Sequence, residues 1–221
     1  MELGPDREDS PETSPNRGAR LPVHAVILAG GEGRRLGVRK ETVPVGDETF
    51  LDTHLRRWSR TCERVSVSVR DPAVAQIPDG VDLIVDPSEA VSVIDSIAEI
   101  LAHTAPRPTW IIAVDLPLVT PELLQVFWGA RRPGHSVFGR TARGIEMLSG
   151  LYDPSARDTI TQLLDDGHRK LSRIAEGSAS IILDEGALPP ADPPTLSPFF
   201  NVNTPEELDE FRRAAGEGDL R

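Results

Sequence analysis

Residues 28 to 40 read Leu28-Ala29-Gly30-Gly31-Glu32-Gly33-Arg34-Arg35-Leu36-Gly37-Val38-Arg39-Lys40, directly after the apolar run Ala25-Val26-Ile27. Glycines lack Cβ, so main-chain N–H groups in such a turn can converge on an anion, and Arg34, Arg35, Arg39 and Lys40 add fixed positive charge beside them. Bare backbone flanked by cations is the chemistry of a phosphate grip. Two common phosphate loops fail to match it. The dinucleotide fingerprint requires G-x-G-x-x-G, yet the third residue after Gly33 is Leu36. The P-loop requires Gly-Lys-Ser/Thr, yet Gly37 is followed by Val38, Arg39 and Lys40. A nicotinamide enzyme and a P-loop ATPase are both disfavoured.

Further polar residues stand where chemistry is possible. Asp115 follows Trp110-Ile111-Ile112-Ala113-Val114 and precedes Leu116-Pro117. A carboxylate at the end of a strand can hold Mg²⁺ against nucleotide phosphates, or it can serve as a turn or cap acid. Asp86 closes Leu83-Ile84-Val85 ahead of Pro87 and reads equally as a turn acid. Asn201 and Asn203 are separated by one residue, so an extended segment presents both on one side, as ligand contacts or as turn residues. None of His24, His54, His103, His135 and His168 makes a convincing pair with an acid, so no histidine base is expected. Tyr152 reads as a core residue and Arg169-Lys170 as a solvated pair.

These residues need elements to carry them. Short β-branched runs at 23–29, 64–69, 81–85 and 110–114 alternate with helical patterns, the signature of βαβ units and a mostly parallel sheet. The glycine loop and Asp115 then both lie at the carboxyl ends of parallel strands, where open α/β sheets bind ligands. Apolar residues Val91, Ile94, Ile97, Ala98 and Leu101 give a helix over 90–104, and Thr120-Pro121 opens another. Strands are expected at 135–140 and 145–152 around a turn, antiparallel or mixed with the rest, then a helix over 155–166, a short helix near 171–175 and a strand at 178–183. Residues 186–198 carry five prolines and form a loop, and Thr204-Pro205-Glu206-Glu207 caps a last helix that Gly216 stops.

The 221 residues enclose one sizeable core, so we expect a single domain over 21–215, a disordered acidic tail over 1–20 and a flexible end over 216–221. One cysteine, Cys62, supports neither an internal disulfide nor a Cys-pair zinc site. A net charge of −11 argues against tight, sequence-independent contact with nucleic acid or anionic membrane. The longest apolar runs are too short to cross a bilayer, and a cytoplasmic protein is expected.

The loop over 28–40 resembles the L-A-G-G-x-G-x-R-x-G-x-x-K signature of nucleotidyltransferases with a glycosyltransferase-A-like fold, with every fixed position filled. Together with Asp115-Leu116-Pro117 and with Asn201-Val202-Asn203-Thr204-Pro205-Glu206-Glu207-Leu208, it is similar, in order and over nearly the whole folded chain, to the molybdenum cofactor guanylyltransferase family. The resemblance implies an α/β, Rossmann-like three-layer sandwich with a mostly parallel central sheet and a small antiparallel insertion. It implies Mg-dependent guanylyl transfer from GTP to a molybdopterin-type acceptor with release of pyrophosphate. Leu28, Ala29, Gly30, Gly31, Glu32, Gly33, Arg34, Asp86 and Asp115 would bind the nucleotide, with Asp86 accepting from guanine. Arg35 and Lys40 would be the catalytic cations, Asp115 and Asn203 would hold the metal, and Asn201 would contact the acceptor. The chain departs from the family at Glu89-Ala90-Val91-Ser92-Val93 and at Val67-Ser68, and its spacing from Gly37 to Lys40 is closer to related cytidylyltransferases. The alternatives are CTP or another triphosphate joined to a different phosphorylated acceptor, and a non-catalytic nucleotide-binding domain. A homo-oligomer is compatible with either.

Overall fold

The computed structural model describes residues 19–30, 33, 35–72, 77–87, 90 and 92–216. The expected tail, apart from residues 19 and 20, residues 217–221 of the expected flexible end, and the site candidates Gly31, Glu32 and Arg34 lie outside the described residues. In chain order the elements are β1 (Leu21–Leu28), β2 (Pro44–Val45), β3 (Glu48–Thr49), α1 (Phe50–Thr61), β4 (Cys62–Val69), β5 (Asp82–Val85), α2 (Val93–Thr104), β6 (Thr109–Ala113), α3 (Pro121–Ala130), β7 (Ser136–Thr141), β8 (Gly144–Tyr152), α4 (Ala156–Asp165), α5 (Ser172–Gly177), β9 (Ser180–Asp184) and α6 (Pro205–Ala214).

Seven strands form one sheet in the order β5-β4-β1-β6-β8-β7-β9, with β2 and β3 as a separate hairpin. β5, β4, β1 and β6 pair in parallel, β8 runs antiparallel to both β6 and β7, and β9 is parallel to β7. The expected antiparallel insertion is thus woven into the main sheet.

Side-chain alternation along the strands makes the two cores. Val23, Ala25 and Ile27 of β1, with Trp110 and Ile112 of β6, face the core beneath α1, α3 and α6, while Val26 and Ile111 face the core beneath α2, α4 and α5. The first core is tied by edge-to-face rings, Trp58 on Trp110 at 5.8 Å, Trp110 on Phe127 at 5.4 Å and Phe50 on Phe211 at 5.7 Å between centroids. Helix α1 has no counterpart in the expected elements, although its buried residues Phe50, Leu51, His54 and Trp58 fall on one face. α2 begins at Val93 rather than residue 90 because Ser92 and Asp95 form a capping box there. β9 starts later than expected because the Ser178 N–H still donates to Ile174, closing α5 (2.9 Å). Among the described residues no helix is long and apolar enough to cross a membrane.

Candidate functional site

Parallel register brings the ends of four strands to one edge. Leu28 pairs with Ser68 and with Ala113. Beyond it the Ala29 N–H donates to Ser68 (2.9 Å), Val114 donates to Leu28 (3.1 Å) and Asp86 donates to Val69 (2.9 Å). The glycine loop leaves this edge and folds back at Gly33. There φ is +58°, and a Cβ would lie 1.8 Å from the Val38 carbonyl oxygen, so no side chain fits. The N–H groups of Leu36 and Gly37 donate to the Gly33 carbonyl at 3.0 and 2.9 Å, closing the turn. A 3-10 turn over Lys40–Thr42 follows, held by the Thr42 hydroxyl on the Arg39 carbonyl (2.9 Å) and by the Arg39–Glu41 ion pair.

That turn aims Lys40 at the two segments singled out in the sequence. Its Nζ donates to Asp115 Oδ2 and to Asn203 Oδ1. The three residues come from distant parts of the chain, and the Val202 N–H donating to the Asp115 carbonyl (3.0 Å) is what lays the asparagine segment against the aspartate. Asn203 Nδ2 donates to Asn201 Oδ1 at 2.7 Å, which orients the Asn203 amide oxygen toward Lys40. Glu207, inside the cap of α6, accepts from the backbone N–H groups of Asn203 (2.7 Å) and Thr204 (3.0 Å).

Helix α1 supports the acid from below. Arg57 Nη1 donates to the carbonyls of Pro117 (2.9 Å) and Val119, pinning the turn that follows Asp115. Burial lowers the Arg57 pKa from its ordinary value. On the same helix the Trp58 indole donates to His54 Nδ1 (3.1 Å) one turn earlier, so the neutral imidazole carries its proton on Nε2. Burial pushes His54 down to about 3, Arg57 adds to that, and the Val114 carbonyl opposes it.

A cavity of about 460 Å³ opens along this edge and follows the strand order, with Asp86, Ser68 and Ser96 on the side of β5 and β4, Gly30 beside Arg70 in the middle, and Lys40, Asp115 and Asn203 on the side of β6. Gly33, Arg35 and Val93 line it too. Leu28 lies on its floor. Ala29 is fully buried behind the wall, and Asn201 reaches the cavity through Asn203. Asp86 is 9% exposed, and its two oxygens accept from Ser68 (3.1 Å) and Ser96 (2.6 Å). Ser68, Ser96 and Arg70 were not singled out as site residues. Ser68 and Arg70 sit at the carboxyl end of β4, which the strand rule alone points to, whereas Ser96 is fixed by the packing of α2 and leaves no local signal.

One expectation needs correcting. A histidine–acid contact does exist, His103 Nε2 lying 3.7 Å from Asp82, with His24 joined to the same acid through Ser66. None of these residues lines the cavity, so the site itself holds no histidine base. Among the described residues no group of three or more His, Cys, Asp or Glu gathers around a metal position. The cation-facing oxygens here are one carboxylate and one amide.

The family model described as the MobA-like NTP transferase domain matches residues 25–181. A probable molybdenum cofactor guanylyltransferase of Methanosarcina mazei is 26% identical over 200 residues, covering 85% of this chain and 88% of its own. The crystal structure of molybdopterin-guanine dinucleotide biosynthesis protein A from Archaeoglobus fulgidus superposes with a TM-score of 0.70 at 23% identity, over 90% of this chain and 100% of that one. A 2-C-methyl-D-erythritol 4-phosphate cytidylyltransferase from Thermus thermophilus shares the fold at a TM-score of 0.63 and 16% identity, over 89% of this chain and 98% of that one.

Proposed function

The chain belongs to the MobA-like NTP transferase domain family, and from that premise we propose that it transfers the guanylyl group of GTP to a phosphate of a molybdopterin-type acceptor, releasing pyrophosphate. The observation that carries this is the convergence of Lys40, Asp115 and Asn203 at one end of a cavity whose other end is Asp86. A triphosphate spans such a cavity with its phosphates at the cations and its base at the acid. The guanine N1–H and 2-amino groups donate to the Asp86 carboxylate, an arrangement closed to cytosine, which offers one donor beside an acceptor.

In the reaction an oxygen of the acceptor phosphate attacks the α-phosphorus of GTP; the new P–O bond forms as the bond from the α-phosphorus to the bridging oxygen breaks. A phosphate nucleophile is already ionised near neutral pH, so no general base is needed, and the histidine-free cavity suits this. Main-chain N–H groups of the loop, Arg35 and Lys40 take up the negative charge that builds on the phosphates. Asn201, which does not itself line the cavity, orients Asn203, and a contact of its own with the acceptor is part of this proposal.

Asp115 and Asn203 offer hard oxygens that already converge on one cation, the Lys40 ammonium, so the donor set fits Mg²⁺. Bound there, the ion supplies charge neutralisation and alignment of the phosphates. The test is pyrophosphate release by the purified chain with a molybdopterin-type acceptor and each of GTP, CTP, ATP and UTP. GTP alone should support turnover. Turnover with CTP instead would defeat the guanine assignment, and nucleotide binding without any pyrophosphate would defeat the enzyme.

A further inference from the structure

Asp86 is held by side chains as well as by its own backbone. Three hydrogen bonds tie it to two elements: its N–H donates to the end of β4, Ser68 of β4 donates to Oδ1, and Ser96, in the first turn of α2, donates to Oδ2. All three side chains are buried, at 1% exposure for Ser68 and 5% for Ser96, and all three line the cavity. Turning the carboxylate about its Cβ–Cγ bond would break both hydroxyl contacts at once. Each hydroxyl has a single proton, and each spends it on Asp86, so neither serine has a donor left for a ligand. Asp86 thus lines the cavity as an acceptor whose two oxygens, each with one hydroxyl contact, keep lone pairs to spare.

We propose that Ser68 and Ser96 are specificity-determining positioning residues, a two-hydroxyl clamp that fixes the Asp86 carboxylate as a double acceptor for a base edge carrying two adjacent donors. The inference rests on the guanine reading above and adds to it which side chains enforce the choice. Two parallel acceptors meet two parallel donors as in an arginine–carboxylate fork, where planarity gives geometric selectivity beyond that of a single bond. Adenine, with one donor beside an acceptor, leaves one Asp86 oxygen facing a lone pair, and a site built for a donor rejects a partner that lacks it. A carboxylate freed to rotate still attracts N–H groups one at a time, so losing the clamp lowers discrimination more than it lowers affinity.

Inosine triphosphate is the probe, since it keeps the N1–H of GTP and lacks the 2-amino group. Calorimetric titration with GTP, ITP and ATP in the presence of Mg²⁺ gives the ratio of affinities for the wild type and for Ser68→Ala, Ser96→Ala, the double variant and Ser96→Thr. The wild type should favour GTP over ITP by about tenfold or more, as expected for one buried hydrogen bond to a charged group. The double variant should bring that ratio down about fivefold or further, each single variant should lie between, and Ser96→Thr, which keeps the hydroxyl, should restore it. Because the readout is a ratio within one protein, a general loosening of the fold leaves it unmoved, and a single variant that folds suffices if the double variant does not. A folded alanine variant that keeps the wild-type ratio overturns the clamp. A wild type without preference for GTP over ITP and ATP overturns the guanine reading itself, and the clamp with it.

Discussion

An ammonium held between the Asp115 carboxylate and the Asn203 amide oxygen occupies the two groups that the proposed Mg²⁺ would use, so on that proposal Lys40 and the ion would compete for one place unless a triphosphate drew the lysine away. Metal and nucleotide should therefore bind together rather than independently. Titration of Mn²⁺, followed by the magnetic resonance signal of the free ion, should show weak binding to the wild type alone and at least about tenfold tighter binding with GTP present. Lys40→Met should bind the ion more tightly than the wild type in the absence of nucleotide; equal affinity would mean that the lysine does not exclude it. In the proposed reaction the same residue would stabilise the phosphate charge, so Lys40→Ala should lower turnover by roughly 10²–10³-fold, the scale of losing one charge-stabilising donor, with its circular dichroism unchanged. Full activity in that variant would remove Lys40 from the mechanism.

Two helix caps of similar construction separate stability from function at the next scale. Thr49 and Asp52 form the box that starts α1, and Thr204 and Glu207 form the box that starts α6. Losing a cap costs about 1 kcal/mol, so Thr49→Ala and Glu207→Ala should shift the urea midpoint by comparable amounts. Only Glu207 also accepts from the Asn203 backbone, so its removal should lower turnover as well, whereas Thr49→Ala should leave turnover near wild type. Equal turnover in the two variants would show that the cap of α6 does not position the asparagine. The elements themselves were largely readable: the four parallel strands, the glycine turn and the boxed start of α6 have periodic or capping signals that act within a few residues, whereas the Ser92–Asp95 box went unread and α2 was expected to begin at residue 90. Helix α1 was missed: Thr49-x-x-Asp52 and the spacing of Phe50, His54 and Trp58 signal it, but its polar residues Asp52, Arg56, Arg57, Ser59 and Arg60 obscure the buried face. At the site, Lys40, Asp115 and Asp86 follow from strand ends and motif. Arg57 and Ser96 do not, because each acts on a partner more than nine residues away that only tertiary packing brings near.

The whole molecule buries two imidazoles that have no part in the proposed chemistry. His24 lies in the sheet against Ser66, and burial lowers it to about 4, with Asp82 opposing and His103, Arg64 and Arg107 adding to the shift; His54 beneath Asp115 is lowered to about 3. Unfolded histidine takes up its proton near pH 6.5, so below that value the unfolded chain binds protons that the folded chain refuses. Stability contributed by the neutral rings is complete above pH 6.5 and should fall by about 1.4 kcal/mol per pH unit for each histidine down toward pH 4, where His24 begins to charge in place. Urea unfolding at pH 7 and pH 5 measures this, and an unchanged midpoint would mean that the rings are solvated in the native state. The longest connection in the molecule has another consequence. The segment that delivers Asn203 also places Phe199, Phe200 and Val202 in the core, and its amide at Val202 is what clasps Asp115. One stretch of chain thus fills part of the interior and supplies an arm of the cleft, so loosening it, as Phe199→Ala would, should cost unfolding free energy and nucleotide affinity together rather than one without the other.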